Sequence, residues 1–342
     1  MRIKLLIATP DTDYSEHLSS RISERHADDV DVSVCSSPQC LRDLLSERKF
    51  DAALLEAPVI DSVDLQNIQL PLLLWSEDGN TPDEAVTLTK IRKYQRVSSI
   101  VSGVLEHYAK VSNDGCGFDP DKAHITAIWS SAGGVGKTTV ALAYAARKIS
   151  EGKQVLYLNL EPFSSVPVYF NETGKSISTI FEMLDNREGN VRMLIQGVRR
   201  YDSDVGVAYF CSPDNFDDMN ILSAENVAAL IDACAGVTEE LVIDMSCVCD
   251  ERARQIFGYA DRILLVTDTT VTAQIKLSQF TTQHHIFERI KEKTILVANK
   301  GAAVSEPLTD TVISLPYVQS ADVSAVYNTL SGYSFEAQVN RQ

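Results

Sequence analysis

Apolar and polar positions along this chain fall into two successive series of short apolar runs and amphipathic stretches. In the first series, residues 3–8 (IKLLIA), 30–35 (VDVSVC), 50–56 (FDAALLE) and 70–76 (LPLLLWS) read as strands. Residues 14–25 place Leu18 and Ile22 on one helical face, and 38–47 continue as a helix. Residues 97–109 bring Ile100, Val101, Val104, Leu105 and Tyr108 to helical spacing. Ser, Asn, Asp, Gly and Pro then cluster over 112–122 (SNDGCGFDPDK), the composition of a linker. The second series has strands over 125–129, 154–160, 205–210, 241–245, 262–267 and 294–298. Helices are expected over 140–148, 176–184, 191–198 and 224–235, the last with Val227, Leu230, Ile231 and Cys234 inward. Strands alternating with helices predict parallel sheets covered on both faces. The expectation is two doubly wound α/β domains, 1–111 and 123–342, joined by the linker.

Composition supports that division. The 342 residues leave room for two domains, and 44% hydrophobic with 23% charged residues supplies ordinary cores. A formal net charge of −16 works against non-specific attraction to nucleic acid or anionic lipid. No basic run exceeds Arg199-Arg200. The apolar start MRIKLLIATPD is short for a secretory signal and meets Asp11, and no apolar stretch has the ~18 residues that span a bilayer. Seven scattered cysteines suit reduced thiols in a cytoplasm. Cys247 and Cys249 are expected to be buried beside a strand, and His284 and His285, adjacent on a helix and about 100° apart, to be structural.

The chemistry concentrates where the strand 125–129 runs into Ser130-Ser131-Ala132-Gly133-Gly134-Val135-Gly136-Lys137-Thr138-Thr139. Strand, glycine-rich turn, Gly-Lys-Thr and helix make a phosphate-binding loop. Glycines let backbone N–H groups curl around phosphate oxygens, and the helix N-terminus adds partial positive charge. Lys137 would reach the β- and γ-phosphates, and the Thr138 hydroxyl would bind Mg²⁺. A purely structural turn also explains Gly-Gly-Val-Gly, and Ser131 stands where the general pattern has glycine. Asp244 ends the apolar strand LVIDM and faces the crevice where α/β sheets hold ligands, a second Mg²⁺-holding group.

The double glycine makes this loop resemble the deviant loop of the MinD/ParA ATPases, and the resemblance runs on to about residue 325. It implies an ATP site of Ala132, Gly133, Gly134, Val135, Gly136, Lys137, Thr138 and Thr139, with Asp244 on the Walker B strand. The family's lysine that crosses to the partner's nucleotide is Ala132 here. By position, Asn159 would bond a metal-bound water and Glu161 would orient an attacking water, joining Lys137 as catalytic groups; both also fit the solvent end of a strand. Asn299, with Lys300, matches the family's adenine-reading asparagine, although an Asn-Lys-Gly turn explains it too. Pro316 and Tyr317 match the segment against the base. The implied cofactors are ATP and Mg²⁺, the implied assembly is a homodimer, and the substitutions imply slow hydrolysis.

The first domain resembles a flavodoxin-like receiver domain. Asp11 and Asp13 stand near the acidic pair, Glu56 at the phosphoacceptor position, Ser76 at the hydroxyl position and Lys93 at the lysine. Glutamate there implies an interaction module that is not phosphorylated. A receiver-like domain ahead of a MinD-like ATPase resembles the TadZ/CpaE group, which implies a cytoplasmic scaffold recruited to the cell pole with protein partners in Flp/Tad pilus machinery. The end SGYSFEAQVNRQ has only Arg341 as a basic residue, so no membrane helix is expected there. A ParA-like DNA-partition ATPase and an atypical response regulator are the competing readings. Charge counts against the first, leaving nucleic acid an unexpected partner.

Overall fold

The computed structural model describes residues 3–25, 30–60, 63–76, 88–111, 123–187, 189–302, 309, 311–335 and 338–339; the linker expected over 112–122 and Arg341 lie outside them. The chain divides into two compact units: Met1–Gly117 with Glu188–Gly197, and Phe118–Arg187 with Val198–Gln342.

In the first unit, β1 (Ile3–Ala8), β2 (Val30–Cys35), β3 (Phe50–Leu55), β4 (Ile68–Trp75) and β5 (Thr89–Arg92) form one parallel sheet in the order β2-β1-β3-β4-β5. That is the flavodoxin-like strand order. Helices α1 (Thr12–Arg25), α2 (Pro38–Glu47), α3 (Ala57–Ile60) and α4 (Val97–Val111) connect and cover it. The apolar run of β3 explains its central place, since Ala52, Ala53, Leu54 and Leu55 are all buried between two layers. Two elements escaped the hydrophobic pattern. Strand β5 has a single buried residue, Ile91, and α3 is one turn long.

The stretch Glu188–Gly197, which sequence order places in the second domain, belongs to the first unit. It carries most of a helix, Val191–Val198, numbered α8 below. The reason is local. The Asn190 N–H donates to the Ala109 carbonyl at 2.6 Å, and a Cβ on Gly197 would lie 3.0 Å from the Ser102 carbonyl oxygen of α4. A side chain at this position would crowd the backbone of α4, and glycine relieves that crowding.

The second unit is built on β6 (His124–Trp129), α5 (Lys137–Ser150), β7 (Val155–Leu160), α6 (Val166–Tyr169) and α7 (Ser178–Asn186). Beyond α8 come β8 (Arg200–Tyr201), β9 (Ala208–Tyr209), α9 (Asp218–Ile221), α10 (Ala224–Ala235), β10 (Glu240–Met245) and α11 (Glu251–Tyr259). The remainder is β11 (Arg262–Thr267), α12 (Val271–Thr281), α13 (His284–Ile290), β12 (Thr294–Ala298), β13 (Thr311–Ser314), α14 (Val323–Ser331) and β14 (Gln338–Val339). The strands order as β14-β13-β12-β11-β6-β10-β7-β9-β8, parallel except at the two edge pairs β13–β14 and β8–β9. The apolar stretch 205–210 pairs over only two residues.

The strand order fixes where a ligand can sit. The chain leaves β6 toward β7 on one side, and leaves β10 toward β11 on the other. Right-handed crossovers therefore place α5 and α11 on opposite faces, and a crevice opens between the carboxyl ends of β6 and β10. Helix α5 packs on β6, β7 and β10 with α14 beside it, and this is the core of the unit. No helix among the described residues is long and apolar enough to cross a membrane.

Candidate functional site

Strand β6 delivers the chain into the loop 130–136 at that crevice. The Ser130 hydroxyl accepts the Ala132 N–H at 3.1 Å, starting the turn. Ala132 and Val135 are buried in the core, whereas Gly133 and Gly134 face outward. Burial at both ends pins the loop and leaves its glycine tip free. Gly134 (φ 78°) and Gly136 (φ 93°) take the left-handed region that a side chain disfavours. A Cβ on Gly133 or Gly134 would meet nothing within 4 Å, so the tip of the loop is uncrowded. Gly136 is the residue before the first turn of α5 and supplies no side chain to cap it. The helix N-terminus keeps its donors and its partial positive charge for an anion.

Around this loop stand the charged groups expected from the sequence. Lys137, only 6% exposed, pairs through Nζ with Glu161 Oε1 at 3.3 Å. Asp244 is fully buried at the end of β10, level with Asn159 of β7 and Ile128 of β6. Its Oδ2 accepts from the Tyr157 hydroxyl at 2.8 Å and from Asn159 Nδ2 at 3.1 Å, while Oδ1 has no hydrogen-bond partner. Burial, reinforced by the negative charge of Glu161, pushes the Asp244 carboxyl up to about 6. The nearby Thr138 hydroxyl, Tyr157 and the Lys137 charge pull the other way; Thr138 is close enough to favour the carboxylate without satisfying Oδ1.

An orphaned buried carboxylate oxygen beside a hydroxyl and a glycine-rich loop at a helix N-terminus is a donor set suited to a hard cation carried with a polyphosphate. Thr138 and Asp244 fit Mg²⁺, and the loop fits the phosphates. Asn159 Oδ1 accepts the Glu161 N–H at 3.2 Å, so the asparagine also ties β7 to the start of the next loop.

Sequence reasoning passed over Tyr157. Its signal was the two-residue strand period, which puts Tyr157 and Asn159 on one face of β7. It also passed over Asp268, buried after β11. Burial opposes ionisation there, but the Thr270 hydroxyl and N–H together with the Lys300 ammonium outweigh it and hold the carboxyl below its usual range.

The other expected site residues come from the far side of β11. The Asn299 amide donates to the Val135 carbonyl at 2.9 Å, and Lys300 Nζ donates to the Gly134 carbonyl at 2.7 Å. Lys300 also pairs with Asp268 Oδ2 at 3.1 Å. The side chains matched to an adenine edge thus touch the loop backbone. Tyr317 is largely exposed and Pro316 half-buried in the segment after β13. Thr139 Oγ1 stands 3.5 Å from the Tyr169 hydroxyl. Cys247 is exposed and Cys249 half-buried, which corrects the expected burial: both lie past the end of β10, in the loop that starts α11. Among the described residues no cluster of His, Cys, Asp or Glu has the makings of a multi-ligand metal site.

The first unit gathers a different cluster. Lys93 Nζ lies 3.2 Å from Asp11 Oδ2 and 3.1 Å from Glu56 Oε2. The Thr9 hydroxyl donates to the same Glu56 oxygen. The rings of Tyr14 and Tyr94 flank the ammonium at 4.8 and 5.1 Å. Burial works against the Lys93 charge, but Glu56 and Asp11 more than compensate and raise its pKa. Asp13 is exposed in the first turn of α1, and Ser76 half-buried after β4.

Comparison with known proteins gives a fold. No family model matches the chain, and no curated protein matches it. Among solved structures, a ParA family ATPase from Chlorobium tepidum TLS is similar at 17% identity over 64% of this chain and 95% of its own, with a TM-score of 0.51. The septum site-determining protein MinD from Pyrococcus horikoshii OT3, complexed with Mg-ADP, gives 14% identity, 61% and 94% coverage and a TM-score of 0.45. Cobyrinic acid a,c-diamide synthase from Mycobacterium smegmatis, with a bound ATP analogue and magnesium, gives 16%, 61%, 93% and 0.46. The first of these likenesses shows a shared α/β fold.

Proposed function

We propose that this protein is an ATP-binding, ATP-dependent dimerising scaffold that hydrolyses ATP slowly. The observation that carries the reading is the buried Asp244 whose Oδ1 has no partner, next to Thr138 and the open Gly133–Gly134 tip. A carboxylate kept in that state is costly to the free protein, and a cation at Oδ1 would offset the cost.

On this reading the loop backbone and Lys137 hold the phosphates, and Thr138 with Asp244 holds Mg²⁺. The ion supplies neutralisation of phosphate charge. Lys137, buried against Glu161, would share its charge between that carboxylate and the phosphates. Glu161 would be the group that orients a water, and Asn159 fixes the loop that carries it through the Glu161 N–H. Slow turnover follows from Ala132, which contributes no cation to the developing charge. The receiver-like unit supplies an address or a second dimer surface. By its resemblance to the TadZ/CpaE group, the assembly is a cytoplasmic scaffold for Flp/Tad pilus machinery at the cell pole.

The test is calorimetric titration of Mg·ATP into the full chain and into Lys137→Ala. The variant is expected to lose affinity by about a hundredfold or more, since a charge-assisted contact to two phosphates disappears. Unchanged affinity would sink the phosphate-loop assignment. Light scattering with and without ATP reads the dimer, and ATP-dependent, salt-sensitive retention on DNA would instead favour a partition motor.

A further inference from the structure

The phosphate loop is held from behind by two consecutive residues that follow another strand. Asn299 and Lys300 follow β12, and the Asn299 N–H extends the sheet by donating to the Thr267 carbonyl at 2.8 Å. The chain then turns sharply: Lys300 has φ 55°, Gly301 has φ 72°, and the Gly301 N–H donates to the Leu315 carbonyl at 2.8 Å. A lysine in the left-handed region is disfavoured against glycine or asparagine, so its side chain is what recommends it at that position.

Both side chains end on the loop, on consecutive carbonyls. Lys300 Nζ takes Gly134 O and Asn299 Nδ2 takes Val135 O. In a trans peptide the carbonyl and the N–H of the next residue point in opposite directions. Anchoring these two carbonyls on the Asn299 side therefore turns the Val135 and Gly136 N–H groups toward the other side. Gly136 confirms how tight the seat is, because a Cβ there would stand 2.5 Å from Asn299 Nδ2. Its lack of a side chain makes room for the asparagine, whereas Gly133 and Gly134 have open space.

We propose that Asn299 and Lys300 are positioning residues that brace the loop, fixing two peptide planes with their N–H groups turned to the anion before any ligand arrives. The proposal rests on the loop being a polyphosphate site. It is distinct from a base-reading role for Asn299, one of whose two amide N–H groups is engaged by Val135. It differs equally from a role for Lys300 as a stand-in for the cation missing at Ala132, because its ammonium is occupied by Gly134 and by the buried Asp268 carboxylate. Preorganised donors bind the polyphosphate part of a ligand whether or not a base is attached.

The discriminating probe is inorganic tripolyphosphate with Mg²⁺, titrated alongside Mg·ATP into the full chain at a temperature where each variant is folded by circular dichroism. Lys300→Met is expected to weaken both ligands about tenfold and by the same factor. Lys300→Arg, which reaches the same carbonyl and carboxylate, is expected to recover most of that loss. Weakened ATP with unchanged tripolyphosphate would overturn the brace in favour of base reading, and unchanged affinity for both would overturn it outright. Should Lys300→Met fail to fold, Asp268→Asn removes the partner that steadies Lys300 and is expected to weaken both ligands equally by a smaller factor; no loss there would also overturn it. Lys137→Ala keeps the two failures apart. If that variant still binds tripolyphosphate, the phosphate-loop reading falls; if it loses binding while Lys300→Met keeps it, only the brace falls.

Discussion

Lys93 of the first unit and Lys137 of the second each stand buried at the carboxyl edge of a parallel sheet, 4% and 6% exposed, and each faces a glutamate. Their surroundings differ in what is left over. Lys93 has Glu56, Asp11 and two tyrosine rings around it, and Thr9 takes up a Glu56 oxygen as well. Lys137 has one glutamate at 3.3 Å, and behind it lies Asp244 with an oxygen unpaired. The first cluster closes its own charges, while the second leaves both a donor surface and an acceptor open. A closed cluster contributes to folding; an open one reserves that energy for a ligand.

Deleting each lysine tests this most strongly. Lys93→Met leaves Glu56 and Asp11 facing each other without a counter-charge, and is expected to destabilise the first unit by about 2–4 kcal/mol, the lower part of the range reflecting the solvent exposure of Asp11. Lys137→Ala loses one ion pair to a partly exposed glutamate and is expected to cost only about 1 kcal/mol, while weakening ATP binding about a hundredfold or more. Denaturant unfolding of the full chain, followed by probes in each unit, measures the first effect. Equal losses of stability for the two variants would erase the distinction.

Asp244 sharpens the same contrast through pH. The folded chain keeps the Asp244 proton up to about pH 6, whereas an ordinary carboxyl loses it near 3.8. Folding therefore takes up a proton between those values, and the contribution of this group to stability is present below pH 4 and lost as pH rises through 6, by about 3 kcal/mol at most. Asp244→Asn is expected to remove that loss, making the ligand-free fold more stable at pH 7 while destroying Mg²⁺-dependent ATP binding. In the natural chain a cation at Oδ1 would favour the carboxylate, so binding near pH 6 is expected to release protons. Calorimetry in two buffers of different ionisation enthalpy counts them, and an equal release from Asp244→Asn would refute the assignment.

Ala132 offers a smaller effect. Its side chain is 4% exposed and packs into the core behind the loop. A lysine there must turn its stem outward, at a cost of about 1–2 kcal/mol in stability. Ala132→Lys is nevertheless expected to raise ATP turnover severalfold if the proposed dimer brings that lysine to the partner's nucleotide as in the MinD/ParA ATPases. No gain in a phosphate-release assay would mean that Asn159 and Glu161 limit hydrolysis as well.

The units differ too in how much of them was legible in sequence. Buried parallel strands such as VLYLNL and ELVIDM announce themselves, because both faces must be apolar. The strand–loop–helix turn at 125–148 was legible because glycines mark the positive-φ positions and an apolar strand runs straight into helix formers. Strand β5, with only Ile91 buried, gives no periodic signal, and the packing of Glu188–Gly197 with the first unit depends on one glycine meeting a helix far away in sequence. Tyr157 on Asp244 and Lys300 on Gly134 were equally hidden: the first pair joins strands that neighbour each other only in the folded sheet, and the second reaches the loop after β6 from the end of β12, with β11 between them. Local chemistry is written in the chain order; the partners that neutralise or brace it are written in the topology.

The smallest expected effect is an absence that tests closure itself. Incubation of the full chain with a small phosphodonor and Mg²⁺ is expected to leave Glu56 unmodified, as intact-mass measurement would show. Both Glu56 oxygens lie within hydrogen-bond distance of Lys93 Nζ, and Thr9 adds a second donor on Oε2. A divalent cation would have to displace the ammonium from Asp11 and Glu56 at once, against the two rings that shield it. Glu56→Asp separates the two causes of inertness. It shortens the carboxylate by one methylene, draws it back from Lys93, and costs about 1 kcal/mol of stability. If the aspartate variant accepts phosphate, side-chain length was the only obstacle and the rest of the cluster still supports the chemistry. If it stays unmodified, Lys93 and its two tyrosines close the site whatever acid stands opposite.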